Sequence, residues 1–229
     1  ELIEEKNYVI RILAHDLRNP LKNIGGLIEM MKDETDPVQQ AEYVKMIKQS
    51  SINAQNLVDK VLEMDATEQN ETHLELLPID AVSLLNKVIQ SMTKIGKKKQ
   101  IELQPSNSID MAMILADEAY LRAVFENLIS NAIKFSNTCT KVTVESIIQD
   151  GTVKFKVKDE GPGIEPDELD KLFLKFNKLS PRPTAGESST GLGLYLVKRY
   201  VELMKGKVWY DNSASNGATF IVELPLVTT

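Results

Sequence analysis

Apolar side chains return at heptad spacing through the first sixty residues, and this regularity restricts the N-terminal part of the chain more than any other feature. Between residues 3 and 31 they fall at Ile3, Ile10, Leu13, Leu17, Ile24, Leu27 and Met31, with Ala14, Leu21 and Ile28 widening the stripe. The spacing predicts one long amphipathic helix. Asp36 followed by Pro37 predicts an N-cap and a first-turn proline for a second helix. Val44, Ile47, Ala54, Val58 and Val61 carry that second helix to about residue 65. One hairpin of two such helices cannot enclose so broad a stripe, whereas two hairpins paired across a two-fold axis can. A homodimeric four-helix bundle is therefore expected over residues 1–66.

The polar stretch TEQNETH, residues 67–73, reads as a linker, and the periodicity changes after it. Strands are expected at 74–79, 100–104 and 111–115, and helices at 81–95 and 118–136. Residues 141–148 and 153–160 alternate like paired strands around the turn Gln149-Asp150-Gly151. Further helices are expected at 165–179 and 191–205, with two closing strands in GKVWYDN and ATFIVELP. The chain is thus expected to be α+β: a helical hairpin, a linker at 67–73, and an α/β sandwich over 74–229 with its helices on one face of a sheet. A length of 229 residues accommodates two such domains.

Composition narrows the function classes. With 27 basic against 33 acidic residues and 6% aromatics, the chain has no electrostatic footprint for nucleic acid, and no nucleic-acid partner is expected. A single cysteine, Cys139, excludes an intramolecular disulfide and a four-cysteine zinc site, and is expected to be a minor packing residue. No apolar run reaches 18 residues and no signal-peptide pattern opens the chain. A start at Glu1 rather than methionine is expected of a fragment. A cytoplasmic location is expected, with membrane attachment, if any, only through an absent upstream segment.

Chemistry-bearing residues form two groups. In RILAHDLRNPLKNI, residues 11–24, His15 falls on the side of the helix away from the apolar seam, and Asn19 lies one turn further on the same face. Asp16 flanks the imidazole, where a hydrogen bond to one ring nitrogen fixes the tautomer and leaves the other as a nucleophile. Pro20 lacks an amide hydrogen and is expected to kink the helix beneath them. The only other histidine, His73, falls in the linker, so a histidine metal site is not expected.

The second group is spread over three stretches. In NLISNAIKF, residues 127–135, Asn127, Asn131 and Lys134 share one face of a helix. Amides of this kind can ligate a hard cation and the lysine can neutralise phosphate. In DEGPGI, residues 159–164, Gly161 and Gly163 permit close backbone approach, and Asp159 can accept from an exocyclic amine. In TGLGL, residues 190–194, a helix begins whose first amides can receive phosphate.

In this order the stretches resemble the N, G1 and G2 boxes of the sensor histidine kinase ATP-binding domain. LFLKFNKL (172–179) resembles its F box and AHDLRNPL (14–21) its H box. The resemblance covers nearly the whole chain. It implies that the sandwich has the histidine-kinase/gyrase-type ATP-binding (Bergerat) fold, and that His15 is phosphorylated from ATP with Asp16 as the activating group. It implies that Asn19 orients water for dephosphorylating a response regulator, that Asn131 ligates magnesium, and that Asn127 and Lys134 contact nucleotide. By the same likeness Asp159 selects adenine, Gly161, Gly163, Thr190, Gly191, Leu192 and Gly193 line the nucleotide, and Lys178 reaches the γ-phosphate. The implied cofactors are ATP and Mg, and the implied partners are a second copy of the chain and a response regulator receiver domain.

Residues 179–189, LSPRPTAGESS, read as a mobile lid. Ser188 and Ser189 stand where the family often has glycines, and Glu160 occupies a variable position. Two alternatives share the ATP-binding fold. One is a nucleotide-gated dimeric ATPase, which places a glutamate base where this chain has Asn127. The other is a signalling scaffold whose nucleotide site is structural.

Overall fold

The computed structural model describes residues 2–68, 74–184, 187, 189–212 and 217–227. Helix α1 spans Leu2–Lys32 and continues through Pro20 without a break. Helix α2 spans Pro37–Glu68. As the sequence predicts, Asp36 caps it, its Oδ1 accepting from the Val38 amide at 2.9 Å. The two helices pack as a hairpin through one seam. Leu27, Leu57 and Met64 are buried, and Leu13, Leu17, Ile24, Ile47, Ala54 and Val61 are half-buried along it. Leu21 and Ile28, on the widened part of the α1 stripe, and Val44 and Val58 of the α2 repeat are exposed. Thr67 belongs to α2, where it is buried and donates its hydroxyl to the Met64 carbonyl at 2.8 Å. The seam through Met64 thus carries the helix a turn beyond residue 65, and residues 69–73, His73 included, lie outside the described residues.

The chain divides into two compact units, Glu1–Glu71 and Thr72–Thr229. In the second, strand β1 (Leu77–Asp80) leads into helix α3 (Ala81–Lys98). Asp80 joins the two, its Oδ1 accepting from the Val82 amide at 3.2 Å and the Ala112 amide at 3.1 Å. Strands β2 (Glu102–Asn107) and β3 (Met113–Ala116) precede helix α4 (Glu118–Phe135), which Asp117 caps through the amides of Ala119 and Tyr120. The remaining elements are β4 (Lys141–Gln149), β5 (Thr152–Lys158), helix α5 (Gly193–Leu203), β6 (Lys207–Tyr210) and β7 (Thr219–Pro225).

Five strands form one sheet in the order β2-β4-β5-β7-β6, with β2 parallel to β4 and the other neighbours antiparallel. Strands β1 and β3 form a separate antiparallel pair. The β4–β5 hairpin turns through Asp150 and Gly151 at φ 50° and 74°, the two positive values that a tight primed turn requires. Period-two burial supplies one wall of the core: Val142 and Val144 from β4, Val153, Phe155 and Val157 from β5, and Val222 and Leu224 from β7. Helices supply the other wall, with Phe125 of α4 edge-on to Phe155 at 5.0 Å and Tyr120 stacked on Tyr200 of α5 at 4.5 Å. This is the expected α/β sandwich.

Two expectations are corrected. Residues 165–179 do not form a helix. A 3-10 turn spans Pro166–Lys171, after which Phe176 takes φ 57° and is buried. The spacing of Leu169, Leu172, Phe173 and Phe176 mimics a helical face, but a left-handed residue ends any continuation. Cys139, expected to pack, is exposed. No described helix is long and apolar enough to cross a membrane.

Candidate functional site

In the hairpin, the imidazole of His15 lies in solvent at 71% exposure, whereas the carboxylate of Asp16 is only 12% exposed. The two meet at 3.1 Å, Nδ1 to Oδ1. With the carboxylate as acceptor Nδ1 is the donor, and in the neutral imidazole the lone pair is then on Nε2. Asn19 is exposed one turn on.

In the second unit, Asn127, Asn131 and Lys134 are half-buried along one face of α4. Asn127 is oriented by its own helix, Nδ2 donating to the Ala123 carbonyl at 2.8 Å. Its Oδ1 is thereby turned away from the helix backbone, toward the start of α5. A Cβ added to Gly193 would stand 3.0 Å from Asn127 Oδ1 and 3.9 Å from Asn131 Nδ2. Stretches more than fifty residues apart thus come together, and a side chain at position 193 would crowd Asn127 Oδ1. The N-terminus of α5 has no side-chain cap, so its first amides face this space with their helix-end partial charge. Gly191, at φ 69°, crosses so near Phe176 and Asn177 that a side chain would collide with their backbone at 2.6–2.8 Å. Thr190 Oγ1 accepts from the Leu192 amide at 3.3 Å. Leu192 itself is fully buried, so its side chain belongs to the core and only its backbone is available to a ligand.

Asp159 follows β5 and is buried. Its Oδ1 accepts from two backbone amides, Gly161 at 2.8 Å and Ala218 at 3.0 Å. That leaves Oδ2 as the acceptor open to a ligand. Burial raises the carboxyl above its ordinary value of 3.8, while the two amide donors pull the other way. A Cβ on Gly161 would meet Asp159 Oδ1 and the Phe135 carbonyl, both at 2.9 Å, which ties this loop to the end of α4. Gly163, at φ 74°, approaches Gly217.

Gly217 and Ala218 are site residues that sequence reasoning missed. Gly217 has φ 83°, and any side chain there would overlap the Asp159 carbonyl. The glycine just before the last strand, in NGATF, was the available signal. Lys178 is exposed and lies beyond the turn at Phe176. Among the described residues no group of three or more His, Cys, Asp or Glu forms a metal cluster. Asn131 supplies one amide oxygen, a donor set that fits a cation otherwise ligated by phosphate oxygens and water.

An exposed imidazole on a helical hairpin, and amides, glycines and one buried carboxylate gathered in the second unit, are the kinds of group that a phosphoacceptor and a nucleotide site use. Two family models match accordingly: the His Kinase A (phospho-acceptor) domain at residues 5–70, and the histidine kinase-, DNA gyrase B- and HSP90-like ATPase at residues 116–228. The chain belongs to the two-component sensor histidine kinase family.

The aerobic respiration control sensor protein ArcB of Escherichia coli K12 is 30% identical over 227 residues, covering 96% of this chain and 28% of ArcB. Across the curated relatives the chain spans 25% to 43% of their length. Full-length ShkA in complex with AMPPNP is similar with a TM-score of 0.71 at 29% identity, covering 95% of this chain and 46% of that one. Histidine kinase ThkA in complex with the response regulator protein TrrA is similar with a TM-score of 0.77 at 25% identity, covering 96% of this chain and 61% of that one.

Proposed function

We propose that the chain transfers the γ-phosphoryl group of ATP to Nε2 of His15 and then passes it to an aspartate of a response regulator receiver domain. The contact of Gly193 with Asn127 and Asn131 carries the nucleotide half of this reading, because it brings the phosphate-receiving helix start onto the polar face of α4. Nε2 attacks the phosphorus in line as the bond to the β,γ-bridging oxygen breaks and ADP leaves. The Nδ1 proton stays on the ring, held by Asp16, so the phosphoimidazole forms with its charge stabilised. Asp159 Oδ2 accepts from the adenine amine, Lys134 and the α5 amides bind phosphate, and Asn131 is the protein ligand of a magnesium ion. Bound there, the ion would neutralise phosphate charge. Lys178 reaches toward the γ-phosphate.

Asn19, one turn from His15, orients water for the reverse hydrolysis of the phosphorylated regulator. The working unit is a homodimer, supported by the exposed Leu21, Ile28, Val44 and Val58 on a hairpin that has no room to cover them itself. Residues 1–66 are the dimerisation and phosphotransfer domain, 67–73 contain the hinge and 74–229 are the catalytic domain. A simple ATPase is disfavoured because Asn127, where that class needs a carboxylate base, has no basic atom.

The test is incubation with γ-labelled ATP. Acid-labile, base-stable label is expected on the wild type and none on His15→Ala, with Asn131→Ala reducing the rate at least about 100-fold. Label persisting on His15→Ala overturns the acceptor, and hydrolysis of ATP without any labelled protein favours the ATPase.

A further inference from the structure

The run Lys97-Lys98-Lys99 looks like a solvated charge cluster, but Lys99 is turned inward and its side chain is 10% exposed. Its ammonium donates to the carbonyls of Ile133 at 2.9 Å and Lys134 at 2.7 Å, and to Oε1 of Glu187 at 3.1 Å. An ammonium has three hydrogens, and these three acceptors use them all. The two carbonyls are in the last turn of α4, where no further helical amide follows to bond them. Lys99 is therefore a C-terminal cap for the helix that carries Asn127, Asn131 and Lys134, and at the same time an ion-pair partner of Glu187, 88 positions further along the chain.

The same helix end receives a second fastening. Thr184 donates its amide to the Lys134 carbonyl at 3.1 Å and its hydroxyl to the Ser136 carbonyl at 2.6 Å. A third lies upstream: Ser180 donates its amide and hydroxyl to Glu168 Oε1 at 2.9 and 2.8 Å. Among the described residues of this strap, Ser180 is thus fastened to Glu168, Thr184 to the end of α4, and Glu187 to Lys99. That end is also where the Phe135 carbonyl forms a wall against Gly161, beside the buried Asp159.

We propose that Lys99 is a positioning residue for nucleotide binding. It acts through Glu187, holding the strap against the end of α4 so that a nucleotide seated beside Asp159 is retained. The proposal rests on the nucleotide-site reading above, and its test separates the two.

Glu187→Gln removes the charge of the pair without touching α4, and Lys99→Met removes all three donors. In the full chain without nucleotide, hydrogen exchange at the Thr184 amide is expected to be about tenfold faster in both variants, the effect of losing one charge-assisted hydrogen bond. KM for ATP in autophosphorylation, and the dissociation constant of a fluorescent ATP analogue, are expected to rise about tenfold with kcat changed less than about twofold. Lys99→Arg should restore most of the affinity. Unchanged exchange in Glu187→Gln overturns the strap. Faster exchange with unchanged KM and analogue binding overturns its role in retention. A wild-type chain that binds no analogue overturns the site reading and the retention role together, while the exchange result still decides the strap.

Discussion

Asp159 concentrates the chemistry of the nucleotide site in one carboxyl group, and its two oxygens have different duties. Oδ1 is committed to the amides of Gly161 and Ala218, so a proton entering this group goes to Oδ2, the atom that the proposed function sets against the adenine amine. Burial raises the folded-state pKa above 3.8, so between 3.8 and that raised value the folded state binds more protons than the unfolded one. Stability contributed by this group therefore falls as pH rises through that window and stays at its lower level above it. Nucleotide affinity runs the opposite way, weakening as pH drops into the window and Oδ2 becomes protonated. Asp159→Asn keeps an oxygen for the two amides and replaces Oδ2 by a donor. The variant is expected to melt no lower than the wild type at neutral pH while binding the ATP analogue about 100-fold more weakly. Thermal melts beside analogue titrations across acid to neutral pH check both halves. A variant that binds normally removes Asp159 from adenine recognition.

At the scale of elements, what the sequence disclosed depended on whether a residue acts through its side chain or through its backbone. The hairpin was legible because heptad spacing is a local pattern, and Asp36-Pro37 marks a helix start by its own chemistry. His15, Asp16, Asn127, Asn131 and Asp159 stood out as candidates because their residue types can carry chemistry. Gly217 and Ala218 did not, because one contributes only the absence of a side chain and the other only an amide. Lys99 was hidden inside a lysine run, and residues 165–179 were misread because four apolar positions matched a helix that Phe176 does not continue. The exposed half of the hairpin stripe yields a test of the dimer. Leu21→Glu or Ile28→Glu places a carboxylate where the proposed dimer would pack a partner helix, at the cost of an unpaired charge in an apolar seam. Dimer affinity is expected to fall at least about 100-fold in sedimentation equilibrium, with helix content retained. An unchanged dimer means that another face forms it.

For the whole molecule, two compact units with separate cores imply two separable folding equilibria. The hairpin owes its stability to helix packing that a second copy would complete, whereas the sandwich closes its own core between sheet and helices. Each should therefore respond to a different ligand, since a binding partner stabilises only the unit that binds it. Calorimetry of the full chain is expected to show two transitions. Raising protein concentration should move the one assigned to the hairpin. A non-hydrolysable ATP analogue at about 100 times its dissociation constant should stabilise the other by about 2.7 kcal/mol at 25 °C, a shift of a few degrees for a unit of this size. Asp159→Asn should abolish the second shift and leave the first, and Leu21→Glu should do the reverse. A single transition that responds to both would mean that the units unfold as one, and the linker region would then have to act as part of a shared structure instead of a hinge.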